Sequence, residues 1–161
     1  MYNGYFAIAL DKQSCNAVKK SATMSVLVSD HITLAFKPTV KVFNKYKNLV
    51  GKKVGAMING YRANNHIDAY WVKDMFLLDS NKKIKRSDKG AAHITLSHKE
   101  GYKSGDANTM FTNPKVKDKK YGYVEGTIKY FNYNNRLLTN WLKCAIIVEC
   151  QKNWQKENNL N

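Results

Sequence analysis

The chain has 161 residues, 43% hydrophobic and 12% aromatic, which suits one packed domain and excludes a disordered one. Its formal charge of +15 favours partners that carry phosphate, although lysine and asparagine also rise together under skewed codon usage. No run approaches the roughly 20 apolar residues of a membrane span, and the apolar run at 5–10 is too short for a signal segment.

Three cysteines, Cys15, Cys144 and Cys150, make neither a zinc pattern nor a C-x-x-C motif, so a soluble protein of the reducing cytoplasm is expected. Residues 5–10 are β-prone and predict an opening strand. Asp11 is placed to cap a helix reaching about residue 22, with Cys15, Val18 and Ala22 on one face. Residues 26–28 lead into a strand at 30–36, and Pro38 suits the first turn of a helix that runs to Tyr46 and Leu49. Residues 52–60 and 66–76 read as paired strands about a turn at 62–65. The polar stretch 79–90 predicts a loop that divides the chain into two halves, about 1–80 and 81–150.

The second half opens with a strand at 91–98, a turn-rich connection at 101–105 and the start of a short helix at 106–110. After a basic loop at 115–120, residues 121–131 alternate as a long strand. Tyr121, Tyr123, Glu125, Thr127, Lys129 and Phe131 share one of its faces. Residues 145–148 are a further apolar run, and 151–161 read as a polar tail. Strands and helices mix without a βαβ rhythm, which favours an α+β fold with a mostly antiparallel sheet.

His31-Ile32-Thr33-Leu34 recurs as His93-Ile94-Thr95-Leu96, and these two histidines are half of the four in the chain. On a strand, side chains alternate faces, so His31 and Thr33 point one way and Ile32 and Leu34 the other. The second copy predicts His93, Thr95 and Ser97 on one face. Each strand then buries an aliphatic row and presents an imidazole with a hydroxyl about 7 Å further along. A phosphodiester needs a base for the attacking oxygen and an acid for the leaving one, and two histidines supply both near neutral pH. Threonine hydroxyls suit the non-bridging oxygens, over which transition-state charge spreads. Two other readings of the repeat stay open. The strands are half-buried and merely tolerate histidine on a polar face, or the histidines hold a metal with a third ligand from His66 or His98.

The stretches from Ser29 to Phe36 and from Ala92 to His98 resemble the two His-x-Thr/Ser motifs of the 2H phosphoesterase superfamily. The motif histidines stand 62 residues apart, a short separation that its compact viral members share, and the resemblance covers roughly residues 5–131. It implies a bilobal α+β fold whose two mostly antiparallel sheets face a central cleft, with no metal or cofactor. It also implies one histidine as base and the other as acid, with Thr33 and Thr95 on the phosphate. Substrates of the superfamily include RNA ends with 2′,3′-cyclic phosphates, 2′,5′-oligoadenylates and cyclic nucleotide signals. A small, Lys/Asn-rich chain looks most like viral members that destroy the cyclic oligonucleotides of host immunity. Hydrolysis of a cyclic di- or oligonucleotide is therefore the leading expectation, and cleavage of a 2′,3′-cyclic phosphate on an RNA end the next. A basic nucleic-acid-binding module without chemistry is the alternative of another class.

Five further residues are candidate substrate contacts. Tyr5 and Tyr123 are placed to stack on bases, Glu125 to read a base edge, and Ser97 and Lys103 to touch phosphate. Core packing for Tyr5 and a solvated face for the others are the plainer alternatives.

Overall fold

The computed structural model of the chain describes residues 2–87, 90–109 and 122–132. The basic loop at 115–120, Tyr121, the apolar run at 145–148, Trp141, Trp154, Cys144, Cys150 and the tail lie outside the described residues. The fold is α+β, with two helices and eight strands among the described residues.

Strand β1 (Gly4–Leu10) leads into helix α1 (Lys12–Lys19), whose N-cap Asp11 accepts a bond from the Ser14 amide at 2.9 Å. The helix ends three residues short of the expected boundary, and residues 20–22 form a turn. Strands β2 (Val26–Leu27) and β3 (His31–Phe36) follow, then helix α2 (Val40–Lys47). Thr39 caps α2 through the Val42 amide, so Pro38 precedes the cap instead of sitting in the first turn. Strands β4 (Lys53–Ala63) and β5 (Ile67–Leu77) form a long hairpin, closed by Asn64, whose side chain accepts from the amides of His66 and Ile67. The expected loop at 79–90 contains a two-residue strand, β6 (Lys83–Ile84), on the flank of β5. Strand β7 (His93–His98), a 3₁₀ helix (Ser104–Thr109) and strand β8 (Gly122–Asn132) complete the set.

Among the described residues every strand pair is antiparallel, and the strands form one sheet in the order β2-β7-β5-β4-β8-β1-β3, with β6 beside β5. Two separate sheets were expected; hydrogen bonds between β4 and β8 join them. The order is a palindrome in kind. Each His-x-Thr strand lies outside a partner, β7 on β5 and β3 on β1, and the inner strands β4 and β8 meet in the middle. Gly126 permits the close approach of β8 to β1, because a Cβ there would collide with the Ala9 carbonyl.

One face of the sheet carries the core. Ile32 and Leu34 of β3, Ile94 and Leu96 of β7, and Phe6 and Ile8 of β1 are essentially fully buried there, with Val18 of α1 and Tyr46 of α2 packed against them. Each such aliphatic side chain contributes about 2 kcal/mol relative to exposure, which sets the strand orientation. The histidine face is thereby placed on the opposite side. Among the described residues no helix is long and apolar enough to cross a membrane.

Candidate active site

The sheet curls until its two ends meet, and the histidines stand at that seam. β2 pairs with β7, and the bonds continue from the Val28 amide to the Leu96 carbonyl and from the Ser29 amide to the Thr95 carbonyl, both 2.8 Å. The chain then leaves β7 and pairs with β1 as β3, so one run of residues touches both ends of the sheet. Ser29 makes that departure with φ of 49°, in the left-handed region, and is held there by full burial and by an Oγ bond to the Leu96 carbonyl. Two residues beyond the Ser29–Thr95 bond stand His31 on one strand and His93 on the other, and β3 and β7 run beside each other.

Each imidazole is oriented through Nδ1. His31 Nδ1 lies 2.5 Å from Asp30 Oδ1, and His93 Nδ1 lies 2.9 Å from the Ala91 carbonyl. A ring nitrogen that faces a carboxylate or carbonyl oxygen carries the proton, so in the neutral ring the lone pair is on Nε2. Both histidines are thus set in the same neutral tautomer, with the lone pair on Nε2. His93 is only 8% exposed and His31 little more. Asp30 is the orienting group that the sequence reading passed over. Asp30 lies just before β3, in the bend that follows the left-handed Ser29, and so is not held to the strand's alternation of faces.

The two threonines share the histidine face. Thr33 pairs with Ala7 on β1, and its hydroxyl has no hydrogen-bond partner among the described residues. Thr95 Oγ1 donates to the Ser104 carbonyl at 3.2 Å, a long bond that a phosphate oxygen is able to replace. Tyr5 stands beside them, its ring 5.9 Å from that of His31 and stacked at 5.1 Å on Phe131. Lys103 is exposed, one residue ahead of the carbonyl that receives Thr95, and its own amide is tied to Asp106.

Three expectations are placed elsewhere. Ser97 was expected on the face of His93 and Thr95, but a register shift between Asp68 and Ala69 puts it out of phase with them. It is fully buried and donates to Asp68 Oδ1 at 2.5 Å while accepting from the amides of Thr23 and Met24, so its hydroxyl serves the fold. Tyr123 and Glu125 share the site-facing side of β8, yet Tyr123 lies four residues beyond Thr127, the residue level with Ala9 and His31. Four residues of strand are about 13 Å, and there the 45% exposed Tyr123 bonds Glu125 at 2.9 Å and stacks on Phe76.

Of the histidines considered as metal ligands, His98 bonds the Lys99 carbonyl through Nδ1 and His66 stacks on Tyr102. Among the described residues no three His, Cys, Asp or Glu side chains are grouped to hold a metal ion. No family model, curated protein or solved structure matches the chain.

Proposed function

We propose that the protein is a phosphodiesterase of the 2H type, in which His31 and His93 act as the general base and general acid about one phosphorus atom. The observation that carries this reading is the pair of tautomer-set imidazoles at the seam of the sheet, each with a threonine two residues on. A buried histidine kept only for packing needs no second copy in matching register with its Nδ1 held in the same way. In-line displacement asks for the base and acid on opposite sides of the phosphorus, and the β3–β7 seam supplies one from each strand. The two halves of the palindromic sheet, β8-β1-β3 and β4-β5-β7, correspond in this reading to the two lobes, which therefore interleave along the chain and do not follow the expected division at about 1–80 and 81–150.

The substrate proposed is a cyclic di- or oligonucleotide, opened to a linear product. Tyr5 beside His31 offers a stacking surface, worth about 1–3 kcal/mol per base, and the net positive charge draws in a polyanion. The test compares kcat/KM for a cyclic dinucleotide and for a short RNA ending in a 2′,3′-cyclic phosphate, at two ionic strengths. The cyclic dinucleotide is expected to be the better substrate at both, with activity retained in EDTA. A win for the RNA end at both would replace the substrate with an end-processing one. Loss of activity in EDTA, restored by zinc or manganese, would remove the metal-free mechanism, and no turnover of either would leave a binding module. Thr33→Ala and Thr95→Ala are each expected to lower kcat/KM about tenfold, the share of one phosphate hydrogen bond.

A further inference from the structure

We infer that Lys129 of β8, with Arg62 of β4 as its counterpart in the other half of the sheet, is a phosphate-binding cation of this site, an assignment of substrate contacts that rests on the phosphodiester reading above. The first observation is a repeated row across three strands. Thr33 pairs with Ala7, and Ala7 pairs with Lys129. In the other half Thr95 pairs with Ala69, and Ala69 pairs with Arg62. Directly paired residues project from the same face, so each half sets a hydroxyl and a cation on either side of a fully buried alanine. Two strand spacings separate their backbones by about 10 Å, and only a methyl group stands between.

The second observation is the state of Lys129. It is 8% exposed, and among the described residues it has no carboxylate or hydrogen-bond partner. Burial alone pulls its ammonium below the ordinary lysine value. An unpaired buried charge destabilises the fold, so this side chain is unsuited to a packing role on a strand whose neighbours are alanines and aromatics. The chemistry that satisfies it is an anion with several acceptor oxygens, reachable at once by an ammonium and by a threonine hydroxyl. A phosphate of the substrate fits both. The ordinary alternation of β8 brings Lys129 to the histidine face, whereas Tyr123 on the same face lies too far along.

The test measures binding of inorganic phosphate to the full chain by calorimetry at low salt, with no turnover required, for wild type, Lys129→Met, Lys129→Arg and the exposed control Lys41→Met. Lys129→Met is expected to weaken phosphate binding about tenfold and to raise the thermal midpoint by about 3 °C, because it removes a desolvated charge and keeps the stem. Lys129→Arg restores most of the affinity, and Lys41→Met changes neither quantity. Phosphate affinity unchanged in Lys129→Met, or a fall in its thermal midpoint, overturns the inference. The two proposals separate cleanly. Phosphate bound through Lys129 in a protein that hydrolyses neither a cyclic dinucleotide nor a 2′,3′-cyclic phosphate RNA end keeps the phosphate site and sinks the enzyme reading. Hydrolysis at wild-type kcat/KM in Lys129→Met, with wild-type phosphate affinity, does the reverse.

Discussion

Replacing either seam histidine by alanine is expected to lower turnover at least 10²-fold while lowering the thermal midpoint by no more than about 5 °C. The size follows from general acid–base catalysis, in which one positioned proton carrier contributes roughly 10² to 10⁴. The limited loss of stability follows from position. His31 and His93 lie on the face opposite the aliphatic core, so truncation opens no cavity among Ile32, Leu34, Ile94 and Leu96. Asp30→Asn should fall between the histidine and threonine variants, since it keeps an acceptor near Nδ1 and removes its charge. A turnover loss below tenfold with a midpoint lowered by more than that would mark the histidines as packing groups. Circular dichroism melts beside steady-state rates decide between the two outcomes.

The largest expected loss of stability comes from a residue with no part in the chemistry. Asp68 is fully buried, and its carboxylate accepts from the Thr23 amide at 2.9 Å, Thr23 Oγ1 at 2.7 Å, Ser97 Oγ at 2.5 Å and the Tyr61 hydroxyl at 3.2 Å. These bonds tie the segment after α1 to β4, β5 and β7. Asp68→Ala leaves the donors facing one void, and each buried unsatisfied group costs about 1–3 kcal/mol. Allowing for relaxation and water entry, a loss of about 4 kcal/mol is expected, or roughly 10 °C in the melting midpoint for a chain of this size. A second readout is the Tyr61 phenol, pushed above its ordinary value first by burial and then, against a lowering bond from Thr23, by the Asp68 charge. Removing that charge should let the phenol titrate at lower pH, followed by its ultraviolet absorbance. A midpoint within 3 °C of wild type would show that the network is dispensable.

The main strands, the Asp11 helix cap and the histidine face were legible because each depends on local pattern, whereas Thr39, not the turn at Pro38, caps the second helix. Alternation placed His31 with Thr33 and His93 with Thr95, and the aliphatic residues between them marked the buried side. What the sequence could not disclose depends on register and on backbone reversals. One extra residue in β7 turned Ser97 from the histidine face into the Asp68 network. Asp30 reaches the His31 ring from the bend after the left-handed Ser29, outside the strand whose alternation the sequence displays. Lys129 was visible as a member of the β8 face, but its level with Thr33 requires knowing that β8 pairs with β1, more than a hundred residues earlier in the chain. The same insertion of β8 between β4 and β1 joined the expected two sheets into one. Long-range pairing of this kind leaves no periodic trace in either strand.

The most direct measurement of the central claim is kcat/KM against pH for a cyclic dinucleotide, in EDTA, for wild type, His31→Ala and His93→Ala. Two histidines that must be in opposite protonation states produce a bell, because the rate falls when both are charged and when both are neutral. Each single variant should lose one limb, and the two variants should lose different limbs, which assigns base and acid. A wild-type profile without a bell, or a bell that survives in both variants, would contradict a proton-transfer role for the pair at the seam.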